Sequence, residues 1–187
     1  MMSRLQLDII MWIIWLIGWN IAGLFVHRTR SAEGRLIRLQ HILPLAIGSV
    51  LMMHSRRRPY LIGRLYESDG VGWLGSAVTL AGMMVSVWAR VHLGRYWSGI
   101  ITLKEGHRLI RSGPYRLARH PLYTGFLTAC LGTTITASTG DALIGFAVIL
   151  IAFLIKMRRE ETLLIGEFGE EYAQFRKEVP ALVPMLY

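Results

Sequence analysis

The residues best suited to chemistry in this chain stand together, in Gly113-Pro-Tyr-Arg-Leu-Ala-Arg-His-Pro-Leu-Tyr123. Pro114 and Pro121 fix their own φ and restrain Gly113 and His120 before them. Pro121 also falls where the first turn of a following apolar helix would begin, a position that tolerates a missing N–H. The result is a stiffened platform of phenols, guanidinium groups and an imidazole at the mouth of a helix. Taken alone, an Arg-His-Pro triplet reads as a basic juxtamembrane loop holding lipid headgroups. A second polar group, Lys156-Met-Arg-Arg-Glu-Glu161, changes that reading. Two short apolar runs, 122–137 and 142–155, separate the two groups, with Ser138-Thr-Gly-Asp141 as a turn between them.

A helical hairpin brings its two ends together. His107, Tyr115, Arg119, His120, Tyr123, Lys156, Glu160 and Glu161 are therefore expected to converge at one membrane face. A pair of carboxylates and several donors at a lipid boundary suit a charged cofactor meeting a lipophilic substrate. The plainer alternative pairs Glu160 and Glu161 with Arg158 and Arg159 and gives them only the solvation of a helix end.

The elements that must position these residues are read from hydropathy. Of the 187 residues, 53% are hydrophobic, and the charged residues cluster between apolar runs. That is the pattern of a polytopic membrane protein. The expected fold is all-α, a single domain with about five transmembrane helices, a C-terminal helical hairpin, an amphipathic tail helix and no β-sheet. Residues 1–93 would form the N-terminal membrane helices and 94–187 the cofactor-binding and catalytic half. The first run, 7–26, is long enough to span and too long for a signal-peptide core, so it is read as retained. Trp12, Trp15 and Trp19 share one face of it, as packing or interfacial anchors. A second run covers 36–54 with Pro44 inside, a kink that neighbouring helices absorb. The third, 71–93, carries Gly75, Ala77, Ala81, Gly82 and Ser86, which permit close helix contact. Gly70-Val-Gly-Trp-Leu-Gly75 matches a dinucleotide fingerprint by letter only, since no strand or βαβ unit surrounds it. In the tail, Leu163, Leu164, Phe168, Tyr172 and Phe175 fall near helical spacing.

The net charge of +9 sits at the ends of the apolar runs. Membrane lipids are therefore the expected partner, and nucleic acid is not. Cys130, the lone cysteine, excludes an intramolecular disulfide or a multi-cysteine metal site and reads as packing. With the C-terminus in the cytoplasm, the 27–38 loop and the 94–120 connection face the cytoplasm too, and so does the site. Arg56, Arg57 and Arg58 then face out, against the positive-inside rule, unless one of the first two runs is re-entrant.

In its second half the chain resembles the isoprenylcysteine carboxyl methyltransferase family, within the broader group that includes phospholipid methyltransferases. The carrying residues are His107-Arg-Leu-Ile110, Gly113-Pro-Tyr115, Arg119-His-Pro-Leu-Tyr123, Glu160-Glu161, Phe168-Gly-Glu-Glu-Tyr172, and Val179-Pro180 with Pro184. The resemblance implies an integral membrane enzyme using S-adenosyl-L-methionine and a lipophilic acceptor, such as the carboxylate of a prenylcysteine-like compound. It places His107, Arg108, Leu109 and Ile110 along the cofactor, with Tyr115, His120, Pro121, Leu122, Tyr123 and Glu160 completing that pocket. Lys156 stands where the family carries an arginine on the acceptor side. Lysine lacks the planar fork that clamps a carboxylate, which Arg158 or Arg159 could supply. Arg119, Lys156 and Glu161 are the candidate catalytic residues. Should the acceptor be an amine or thiol that must lose a proton, His120 and Glu161 are candidate bases. Two competing readings are a nicotinamide-dependent membrane reductase, needing a basic subsite for a second phosphate, and a lipid-binding scaffold without enzymatic activity.

Overall fold

The computed structural model describes residues 3–26, 29–32, 34–54, 61–99, 102–104, 106 and 108–182. Five long helices carry the chain back and forth: α1 (Arg4–Gly23), α2 (Arg35–His54), α3 (Asp69–Leu93), α4 (Pro121–Ala137) and α5 (Gly140–Phe168), followed by the short α6 (Glu170–Glu178). Helices α1, α2, α3 and α5 are long and apolar enough to cross a membrane. Helix α4 has 17 residues and is the inner one, buried along much of its length. An all-α polytopic bundle is thus what the hydropathy foretold. Both α1 and α2 are long and apolar enough to be candidate spans. Arg56, Arg57, Arg58, His107 and Pro184 lie outside the described residues.

Two details depart from expectation. Strands β1 (Thr29–Ala32) and β2 (Thr102–Lys104) pair as an antiparallel two-stranded ribbon between the two loops at one end of the bundle. The tail, expected to begin at Lys156 as a separate amphipathic helix, is instead the continuation of α5 as far as Phe168. The break comes at Gly169, whose φ of 54° is open to glycine at little cost. Apolar composition marks where a helix leaves the membrane, not where its hydrogen-bond ladder ends.

Local signals start and stop the helices. Ser3 and Gln6 form a capping box on α1, Ser68 caps α3, and Thr139 caps α5. Each satisfies N–H groups that a helix start leaves without partners. Helix α4 begins on Pro121, and Ser138, at φ 58°, ends it and turns the chain into α5.

Inside lipid, helices gain little from apolar burial against one another, so close van der Waals contact must hold them. The α3–α4 seam is built that way. A Cβ added to Gly82 would lie 2.3 Å from the Ala129 backbone nitrogen, and one on Gly132 would lie 2.3 Å from that of Thr79. Gly75 and Gly125 approach the opposing backbone in the same manner. Hydroxyls along the seam are used internally: Trp12 donates to Thr133 Oγ1 at 2.9 Å and Trp15 to Ser86 Oγ at 3.0 Å. The tryptophan face of α1 is therefore a packing face, and Trp15 stacks on Trp19. Cys130 is buried in the same core.

Because successive helices alternate in direction, the ends of α1, α3 and α5 and the beginnings of α2 and α4 gather on one side. Arg90 fastens this end. It donates to Ala22 O and Gly94 O, both at 2.8 Å, and lies over the Trp97 ring. The other end is held by Arg4 on Asp69 at 2.7 Å and by Asp141, which accepts from the Leu61 and Ile62 backbone.

Gly82→Val should force the α3 and α4 backbones apart and cost roughly 1–3 kcal/mol. Gly18 has open space around it, so Gly18→Val should leave the unfolding midpoint in detergent nearly unchanged. Equal midpoints for the two variants would show that the seam is not closely packed.

Candidate active site

The polar end of the bundle contains an open cleft. The irregular segment 108–110 and the 3-10 turn Gly113–Arg116 form one wall, α4 begins at its base, and α5 and α6 close the far side. Arg108, Leu109, Ile110, Tyr115, Arg119, His120, Leu122, Tyr123 and Glu160 all line it. Pro121 is buried at the first position of α4. Lys156 and Glu161 are buried beside the cleft, in contact with residues that line it.

Glu160 and Glu161 part company here. Neighbours on a helix point about 100° apart. Glu160 turns to the cleft, where the Tyr123 hydroxyl donates to its Oε2. The Tyr123 ring in turn lies parallel to that of His120, with centroids 5.4 Å apart. Glu161 turns toward the start of α4 and the tail. Arg119 Nε donates to its Oε1 at 2.8 Å, and His120 Nε2 lies 3.3 Å from the same oxygen. Arg176 Nε is 3.4 Å from Oε2, and the Tyr172 hydroxyl reaches Oε1 at 3.5 Å. Arg119 also donates to the carbonyls of Arg176 and Val179, at the end of α6. The chain beyond α6 then runs back along the motif: Arg119 N donates to Pro180 O at 2.8 Å and His120 N to Ala181 O at 2.9 Å. The plainer alternative, pairing with Arg158 and Arg159, is not what holds Glu161.

Burial first, and the nearby Glu160 charge second, push the Tyr115 phenol well above its usual pKa, with Arg90 opposing. Burial also raises Tyr172, helped by the Glu161 carboxylate. Both phenols therefore stay neutral and keep their protons to donate.

Lys156 is turned into the bundle and not out to the membrane surface. Its Nζ donates to Gly99 O at 2.7 Å and lies 5.5 Å from the Tyr123 ring centre and 5.9 Å from that of Phe153. It stands where the polar cleft gives way to the aromatic core formed by Phe126 and Phe153. Sequence reasoning missed Leu93, Tyr96, Trp97 and Ser98 as lining residues, and Arg90 behind them. An arginine near the end of an otherwise apolar run, followed by Trp97 in a polar connection, was the available signal.

The fold is that of a polytopic membrane protein with a polar cleft at one end of its helices. Residues 74–166 match the isoprenylcysteine carboxyl methyltransferase (ICMT) family. A probable protein-S-isoprenylcysteine O-methyltransferase of Oryza sativa subsp. indica is 30% identical over 162 residues, which cover 85% of this chain and 83% of that protein. The protein-S-isoprenylcysteine O-methyltransferase of Schizosaccharomyces pombe is 30% identical over 125 residues, 65% of this chain and 51% of that one. Among solved structures, the eukaryotic intramembrane Ras methyltransferase ICMT shares the fold. Its TM-score is 0.59 at 21% identity, over 78% of this chain and 52% of that one. The chain belongs to the isoprenylcysteine carboxyl methyltransferase family, and by that membership it is a membrane methyltransferase.

Removing the Arg119 side chain takes a charge-assisted donor from a buried carboxylate and two partners from the end of α6. Arg119→Met should destabilise the tail by roughly 1.5–3 kcal/mol. Trypsin should then cut at Arg176 and Lys177 markedly faster than in the wild type. Tyr172→Phe, which loses only a long contact, should change the cleavage rate much less.

Proposed function

We propose that the chain transfers a methyl group from S-adenosyl-L-methionine to the carboxylate of a lipophilic, prenylcysteine-like acceptor. The observation that carries this reading is the arrangement of two opposite charges about one ring: Glu160 accepts from the Tyr123 hydroxyl while Lys156 lies over the Tyr123 ring.

The cleft residues suit the cofactor chemically. The Glu160 carboxylate, among Tyr115, Tyr123 and Trp97, offers a setting for a cationic group, through charge and through aromatic faces. Arg108, Leu109 and Ile110 lie in irregular backbone, so their N–H and C=O groups are not committed to a helix or strand and can face a nucleoside. Leu122, Leu163 and Leu164 give the apolar contacts. When bound, the cofactor supplies an electrophilic methyl on a sulfonium. Because an ionised carboxylate is already a nucleophile, the protein needs to orient and to exclude water. Glu161 is fully engaged by Arg119, His120, Arg176 and Tyr172. Its role on this reading is to hold the α4 entry and the tail in place, and His120 orients the cleft through its stack on Tyr123. Lys156 receives the anionic end of the acceptor, while the prenyl-like tail follows the aromatic core. The second half of the single domain supplies nearly all of these residues. Arginine and lysine crowd the end of the bundle that carries the cleft, so we infer that it faces the cytoplasm.

Ligand-dependent stability of the detergent-solubilised protein tests the cofactor. S-adenosylhomocysteine should raise the unfolding midpoint and NADPH should not; the reverse result would sink the methyltransferase reading in favour of a reductase. Glu160→Ala and His120→Ala should each weaken S-adenosylhomocysteine binding, by roughly tenfold or more for Glu160. Lys156→Met should lower kcat/KM for the acceptor with cofactor affinity nearly unchanged, and Lys156→Arg should keep turnover of a carboxylate acceptor. Full turnover in Lys156→Met would remove that residue from the acceptor site.

A further inference from the structure

Helices α2 and α5 run antiparallel, and their closest approach is at Gly48. A Cβ there would lie 2.6 Å from Gly145 O and 2.6 Å from Ile149 Cγ1. The face of α2 turned to α5 carries His41, Leu45, Gly48 and Met52, at alternating spacings of three and four. One step further toward the cleft-bearing end, at the same spacing, is Arg38. The facing stripe of α5 carries Gly145, Ile149, Ala152 and Lys156, and its next member is Arg159. Counting ten residues along each helix from the crossing brings α2 to Arg38 and α5 to the turn that contains Arg159. By this register Arg38 and Arg159 stand at the same end of the seam.

Among the described residues neither forms an ion pair with a carboxylate. Arg38 Nε and Arg159 Nη1 are enclosed and have no hydrogen-bond partner among the described residues. The first turn of α2 holds no acidic residue, so the positive end of its helix dipole adds to the same field. Half-buried cations of one sign, partly stripped of water, call for an anion. Beside them both helices present a continuous apolar surface: Leu36, Leu39 and Leu43 on α2 and Ile151 and Ile155 on α5 are all exposed. A free phosphate would leave that surface bare, whereas a lipid covers it with acyl chains.

We propose that the α2–α5 seam, at the end that carries the cleft, binds the phosphate headgroup of an anionic glycerophospholipid through Arg38 and Arg159. The charge-assisted N–H···O bonds fix the headgroup, and the acyl chains lie along the exposed leucines and isoleucines. Arg159 does not line the cleft, whereas its neighbour Glu160 does.

The protein in zwitterionic detergent is titrated with phosphatidylglycerol, phosphatidylcholine or inorganic phosphate, and the unfolding midpoint is followed. Phosphatidylglycerol should raise the wild-type midpoint by several degrees more than phosphatidylcholine, and inorganic phosphate should have little effect. Arg38→Gln and Arg159→Gln should each remove much of that preference, and the double variant all of it. Arg158→Gln, an exposed neighbour outside the seam, should keep it. Four results would overturn the proposal: no preference in the wild type, a preference retained in the double variant, an equal loss in Arg158→Gln, or full stabilisation by inorganic phosphate alone. Should the double variant not fold, native mass spectrometry of the wild type in mixed lipid decides: a tightly retained phosphatidylglycerol supports the site, and indiscriminate adducts refute it.

Discussion

A carboxylate held at a membrane boundary must be surrounded by donors, and Glu161 is the charge that organises this end of the protein. Taking such a group out of water costs several kcal/mol unless partners replace the lost hydration. Those partners come from two elements far apart in sequence. Arg119 and His120 stand at the entry to α4, and Tyr172 and Arg176 stand on α6. Arg119 also takes up carbonyls at the end of α6, which a helix terminus leaves without partners. One buried charge thus fixes where α6 lies, and with it the cleft wall built from Tyr172 and Phe175. The same ion orients His120, hence the Tyr123 ring stacked on it, hence the hydroxyl that meets Glu160.

The glycine seam supplies the other half of the geometry. Helices α3 and α4 approach until backbone meets backbone at Gly75, Gly82, Gly125 and Gly132. Contact that close leaves little freedom to slide. The end of α3, with Leu93 and the Tyr96–Ser98 segment, is therefore held in register with the start of α4, with His120 and Tyr123. Both segments line the cleft. Arg90 completes the brace by tying the ends of α1 and α3 to each other and to Trp97.

How much of this was legible follows from what each feature depends on. Helices in lipid must satisfy their own backbone, so apolar length alone locates them, and the third and fourth runs match α3 and α4 to within about two residues. The run that ends at Ile155 misplaced the end of α5, because the helix continues through Lys156 and Glu161 as a polar extension; only Gly169 stops it. The β1–β2 ribbon carries no apolar alternation and pairs segments separated by two helices, so nothing local announced it. The four-residue step from Lys156 to Glu160 was readable as one helix face, and both side chains meet Tyr123. That Glu160 and Glu161 point to different partners was not readable. Adjacent identical residues differ only in angle, and which angle faces the cleft is set by how α5 packs on α4.

The order of charges along α5 bears on the reaction itself. Lys156 lies deeper, over Tyr123 and Phe153, and Glu160 lies one turn nearer the mouth. The helix therefore presents an ammonium where the cleft meets the apolar core and a carboxylate where the cleft opens. A reactant with an anionic end and an apolar tail is drawn to the first, and a cationic one to the second. Bringing a cation and an anion together with loss of both charges is favoured as the surroundings become less polar, because the separated ions pay more for desolvation than the neutral products do. A membrane boundary is such a place. On the proposed reading, the bilayer is therefore more than a store of lipophilic substrate: the low dielectric that makes Glu161 costly to bury also favours a charge-cancelling methyl transfer beside it.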